Sequence, residues 1–108
     1  MGQKTFLDAR ERIREIDAEM ARLFCRRMQA VEEIAAYKKQ QGMPVLDAQR
    51  ERELIERNTA LIEDATLCPY YLRFLQNTMQ LSREYQHAIL EDAAADEAVK
   101  GFDDRELP

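Results

Sequence analysis

Residues 6–40 read FLDARERIREIDAEMARLFCRRMQAVEEIAAYKKQ, and Gly42-Met43-Pro44 follow close behind. Ile13, Ile16, Met20, Phe24, Val31 and Ile34 recur at three-, four- and seven-residue steps, the spacing of one face of an α-helix. No proline interrupts the run, and Ala, Glu, Arg and Gln between the apolar positions favour helix. Gly42 and Pro44 then break it. The spacing predicts a single helix from about Phe6 to about Gln40, roughly 50 Å long at a rise of about 1.5 Å per residue. A compact chain of this size has a radius of gyration near only about 13 Å. A helix this long must pack against something beyond its own chain, and a second copy is the expected partner.

Working outward, two more helices account for the remaining pattern. Thr5-Phe6-Leu7-Asp8 has the form of a capping box for the first helix. Asp47 suits the N-cap of a second, expected to run to about Asp64. Pro69 suits the first turn of a third, expected to run to about Asp92, with a looser continuation toward Gly101. With 108 residues, three Gly and three Pro, the expectation is one all-α domain over residues 1–92. It has three helices per chain, the first of them long, in an intertwined homodimeric bundle. Residues 93–108 are expected to form an acidic, loose or disordered C-terminal tail.

The charge is unevenly placed. From Glu91 onward there are seven acids against two bases, which accounts for the whole net charge of −5 and leaves residues 1–90 balanced. No basic domain results, so nucleic-acid binding has little electrostatic support. No stretch approaches the length of a membrane span, and Met1 to Leu7 lacks the apolar run of a signal peptide; a cytoplasmic protein is expected. The two cysteines, Cys25 and Cys68, match no metal-ligand spacing. Cys25, in a strongly helical stretch, is expected to be a buried free thiol.

The apolar stripes contain misplaced polar residues. Arg10, Arg27 and Lys38 extend the stripe of the first helix. In the third, Leu72, Leu75, Met79 and Ile89 form the stripe, and Ser82 and Gln86 fill its gaps. In the second, Leu54, Ile55, Leu61 and Ile62 mark the inner face, with Arg50 and Glu51 one turn earlier. Each has a bland explanation on its own: Arg10 lies near a helix end, Lys38 can snorkel, and a core Gln can set bundle register. Together they would leave many polar groups buried without partners, at several kcal/mol each. A ligand with matching charge and oxygens would supply those partners, and guanidinium forks suit carboxylates. Two or more such cations imply a small dianion, expected to be a dicarboxylate.

The residues also carry a family resemblance, over roughly positions 5 to 90. It rests on Ala9-Arg10-Glu11-Arg12-Ile13, Ile16-Asp17, Arg26-Arg27 and Lys38. It continues through Pro44-Val45-Leu46-Asp47-Ala48-Gln49-Arg50-Glu51-Arg52 and ends with Ser82-Arg83-Glu84-Tyr85-Gln86. In this order and spacing the set resembles the all-helical class of chorismate mutases. No site position departs from the pattern, and the tail after about Glu91 lies outside it.

The resemblance implies an isomerase of aromatic amino acid biosynthesis (the shikimate pathway) that rearranges chorismate to prephenate with no cofactor and no metal. It implies that Arg27 and, from the partner subunit, Arg10 bind the two carboxylates of chorismate. Lys38 and Gln86 would hydrogen-bond the ether oxygen of the enolpyruvyl group, and Arg50 and Ser82 would position the ring carboxylate. Glu51 and the backbone near Asp47 would receive the ring hydroxyl. Lys38, Gln86 and Arg27 are the expected catalytic residues. A nearby alternative is isochorismate-pyruvate lyase, whose resemblance shares the arginines, the lysine and the glutamine; the Asp47-x-x-Arg50-Glu51 segment favours a mutase. A mutase acting on an amino analogue of chorismate is a further alternative. From another class, the chain could be a non-catalytic helical interaction module with the stripe charges as registry devices; the intact set of site residues speaks against it.

Overall fold

The computed structural model describes residues 2–100, with side chains through Glu91. Three helices form: α1, Gln3–Gln41; α2, Ala48–Thr59; and α3, Cys68–Lys100, with a short 3-10 turn at Ala65–Leu67 before the last. Among the described residues there is no strand, so the all-α expectation holds. By compactness the chain divides into two units, one of residues 1–30 and one of residues 31–108.

The first unit is helix alone. None of its described residues is buried, and Ile13, Ile16, Met20, Leu23 and Phe24 are all exposed, from 43% to 56%. Cys25 is exposed with them, which corrects the buried thiol expected from sequence: nothing within this single helical stretch covers it. The start of α1 is a second correction. It begins at Gln3, ahead of Phe6, and no acidic residue lies in its first turn. Thr5-Phe6-Leu7-Asp8 is therefore interior helix and not a capping box. Gln3 and Lys4 are themselves good helix formers.

The second unit holds the core. Val31 and Ala35 from α1, Val45 from the connection, and Leu75 and Met79 from α3 are its buried apolar residues. The turn that closes it is built on Gly42, whose φ of 66° lies in the left-handed region. The Met43 amide donates to the Lys38 carbonyl at 2.8 Å and the Gly42 amide to the Lys39 carbonyl at 3.3 Å, the paired bonds of a Schellman motif. A Cβ at Gly42 would meet no atom within 4 Å, so backbone strain and not crowding selects glycine there. Gly42→Ala is expected to cost about 1 kcal/mol, lowering Tm by roughly 5 °C in a thermal melt. An unchanged Tm would show that the turn relaxes to another conformation.

Asp47 caps α2 as expected, its carboxylate accepting from the Arg50 amide at 3.1 Å. The helix ends sooner than expected, at Thr59 and not near Asp64. Asp64 instead caps the 3-10 turn, accepting from the Thr66 amide at 2.9 Å and the Thr66 hydroxyl at 2.6 Å, and those two bonds hold its carboxyl below the usual range. Such local side-chain bonds compete with helix continuation. Leu61, expected on the inner face, lies past the helix and is 72% exposed. α3 opens at Cys68 with Pro69 in its first turn and continues to Lys100, so its backbone passes the end expected at Asp92. Residues 101–108 of the expected tail lie outside the described residues.

Candidate active site

The second unit gathers its polar side chains around Lys38. Lys38 sits in the last turn of α1, where its own carbonyl anchors the Gly42 turn. That turn sends the chain back, and Lys38 Nζ donates to the Val45 carbonyl at 2.7 Å. Nζ also donates to Oε1 of Gln86 at 3.2 Å, tying α1 to the middle of α3. Gln86 is 7% exposed and Ser82, one turn earlier, 6%. They continue the buried stripe of Leu75 and Met79, so the polar gaps read in the sequence do face inward. Ser82 Oγ donates back to the Thr78 carbonyl at 2.9 Å.

The hydrogen-bond arithmetic of this cluster is directional. An ammonium has three protons, and Val45 and Gln86 take two from Lys38. With Oε1 of Gln86 turned to Lys38, the amide NH₂ is the end that can donate to something else. One half-buried cation and one buried neutral donor thus stand side by side, held by backbone and helix packing.

Around them are two further links. Arg83 donates to Oε1 of Glu51, an ion pair from α3 to the first turn of α2. Tyr85 donates its phenol proton to Glu32 at 2.5 Å, from α3 to α1; that bond raises the Tyr85 pKa above its ordinary value. The sequence reading gave neither Arg83 nor Tyr85 a role, although both lie between Ser82 and Gln86 in the segment that carried the resemblance. The Val45 carbonyl was also missed, because a backbone acceptor has no signature in residue type. Asp47 and Arg50 are exposed. Asp47 is used twice by α2, through its carboxylate and through its carbonyl, which accepts from the Glu51 amide at 3.1 Å. Arg50 therefore does not point into the core of its own chain, contrary to the stripe reading.

The remaining two candidates belong to the first unit. Arg10 is exposed, and its guanidinium lies 4.8 Å from the centroid of the Phe6 ring on the same helix face. Arg27 is half-buried, and loss of solvent lowers its pKa from the ordinary guanidinium value.

An open apolar groove of about 720 Å³ lies elsewhere, lined by Ile55, Thr59, Cys68, Pro69 and Leu72 among others. None of the candidate site residues lines it, and its one charged residue is Glu56, so it offers no cation to an anionic ligand. Among the described residues no three His, Cys, Asp or Glu are grouped to hold a metal ion, and no described helix is long and apolar enough to cross a membrane. The chemistry this arrangement offers is donation of hydrogen bonds and positive charge to a small anion.

A family model described as chorismate mutase type II matches residues 9–87, well over half of the chain. The match spans every candidate site residue. Comparison with curated proteins and with solved structures gives no significant match.

Proposed function

The chain belongs to the chorismate mutase type II family, and from that premise we propose that it catalyses the Claisen rearrangement of chorismate to prephenate in aromatic amino acid biosynthesis, as a homodimer whose sites are each built from both chains. The observation that carries the reading is the pairing of Lys38 Nζ with buried Gln86 at 3.2 Å.

The rearrangement breaks a C–O bond and forms a C–C bond in one pericyclic step, so it needs no nucleophile. What it needs is a folded substrate conformer and stabilisation of a polarised transition state. Negative charge grows on the ether oxygen as the C–O bond breaks. The third proton of Lys38 and the amide of Gln86 then act as oxyanion donors, stronger in the transition state than in the ground state. Because both are already held, by Val45 and by each other, little reorganisation is left for the reaction itself. Arg27, with Arg10 of the partner, binds the two carboxylates and selects the conformer, an orientation effect. Arg50 and Ser82 position the ring carboxylate, and Glu51 with the backbone at Asp47 receives the ring hydroxyl.

Two facts support the dimer. The apolar stripe from Ile13 to Phe24 is exposed in the single chain, and contiguous exposed apolar surface marks an interaction site. Arg10 is exposed, with no site to serve within its own helical unit; in the proposed dimer a second chain running the other way would supply one. No residue named in the mechanism lies beyond Gln86.

Chorismate should protect the protein against heat, by about 2.7 kcal/mol at a hundredfold excess over its Kd. A Tm that ignores chorismate at millimolar concentration would favour a non-catalytic helical module. Gln86 makes a pH prediction. An amide does not titrate, so kcat should be nearly flat from about pH 6 to 8. A glutamate at this position donates only when protonated, and its reference pKa is about 4.3; burial there favours the protonated form and Lys38 beside it the ionised one. Gln86→Glu should therefore be most active in acid and lose activity as pH rises. Equal activity of this variant at pH 5 and pH 8 would remove the Gln86 contact from the mechanism.

A further inference from the structure

The Arg83–Glu51 ion pair has no part in the steps above. Its side chains retain 30% and 24% exposure, so the pair is partly buried but not sealed in the core. Its geometry is more telling. The Glu51 backbone is fixed where its amide donates to the Asp47 carbonyl at the start of α2, but a glutamate side chain on a helix surface has several rotamers open to it. Arg83 removes that freedom by donating to Oε1. The guanidinium is rooted on a rigid stretch of α3, flanked by buried Ser82 before it and buried Gln86 three residues on. An ionised carboxylate accepts at both oxygens, so with Oε1 held, Oε2 remains to accept from a ligand.

We propose that Arg83 is a positioning residue: by holding Oε1 of Glu51 it presents Oε2 to the ring hydroxyl of the substrate, and so sets the preference for a ring that carries that hydroxyl. The proposal rests on the chorismate reading. Arg83 itself touches no reacting atom. The hydroxyl is present alike in ground and transition states, so the contact acts on binding, and its loss raises KM more than it lowers kcat.

The test compares kcat and KM for the unmodified protein, Arg83→Ala, Arg83→Lys and Glu51→Ala. The substrates are chorismate and the analogue with hydrogen in place of the ring hydroxyl. Arg83→Ala should lose about tenfold in kcat/KM on chorismate, mostly through KM, and should match the unmodified protein on the analogue. In a Glu51→Ala background the same change should cost nothing further, and Arg83→Lys should recover part of the loss. Arg83→Gln, which keeps length and polarity, replaces the alanine variant if the latter fails to fold. Equal losses on both substrates, no loss on chorismate, or full additivity with Glu51→Ala would overturn the role of Arg83 while leaving the mutase reading intact. Failure of the unmodified protein to convert chorismate would overturn the reading beneath it.

Discussion

Replacing Lys38 by Ala should lower kcat about a hundredfold or more and leave the helical fold in place. Removal of one preorganised oxyanion donor typically costs about 2.7–4 kcal/mol of transition-state stabilisation. Lys38 is doubly bound in the free protein, to the Val45 carbonyl and to Gln86, so its donor is in position before substrate arrives. The fold should survive because the buried apolar residues beside it, Val31, Ala35, Val45, Leu75 and Met79, are untouched. The Schellman bonds of the Gly42 turn use the Lys38 carbonyl, which alanine retains. The unmet cost is the buried Gln86 oxygen, which would need water or a new rotamer, so a modest loss of Tm is expected with the large loss of kcat. Steady-state kinetics beside circular dichroism decide it. A folded variant with near-normal turnover would remove Lys38 from the chemistry.

Mixing two inactive variants should restore roughly a quarter of the activity. Arg10 and Arg27 are separated on α1 by about 25 Å at a rise of about 1.5 Å per residue, too far for one small dicarboxylate to bridge. In the proposed dimer the α1 helices run antiparallel, with the twofold axis near Met20 to Leu23, and Arg10 of one chain serves the site containing Lys38 of the other. Arg10→Ala and Lys38→Ala homodimers should then both be nearly inactive. Unfolded together and refolded, random pairing makes about half the dimers mixed. Each mixed dimer carries one site with both substitutions and one with neither. If Arg10 served its own chain, every site would still carry one substitution. Proven subunit exchange with no recovered activity would end the shared-site proposal.

Much of this was legible in the sequence wherever a local rule operates alone. Gly42 ahead of Pro44, Asp47 as a cap and Pro69 in a first turn each act within a few residues. The helix period placed Ser82 and Gln86 on the buried stripe of α3 because that face packs within the same chain. Where the outcome depends on competition or on a second surface, spacing along one helix does not decide it. Helix spacing carries α2 on toward Asp64, but the Asp64 carboxylate finds Thr66 and starts a new turn. Cys25 is expected to be buried, yet it lies on a helix whose apolar stripe has no cover from its own unit. The Val45 carbonyl and the direction of Arg83 were invisible for a different reason. Both depend on how α1, α2 and α3 meet, which no spacing along one helix encodes.

The proposed reaction is an isomerisation: chorismate is rearranged with nothing added to it and nothing taken away. The direct measurement is to incubate the purified protein with chorismate, identify the product by mass and spectrum, and run isochorismate beside it. Chorismate should disappear with stoichiometric appearance of prephenate, an isomer of unchanged mass, and no pyruvate should be released. Inert chorismate, or pyruvate released from isochorismate as the main reaction, would contradict it.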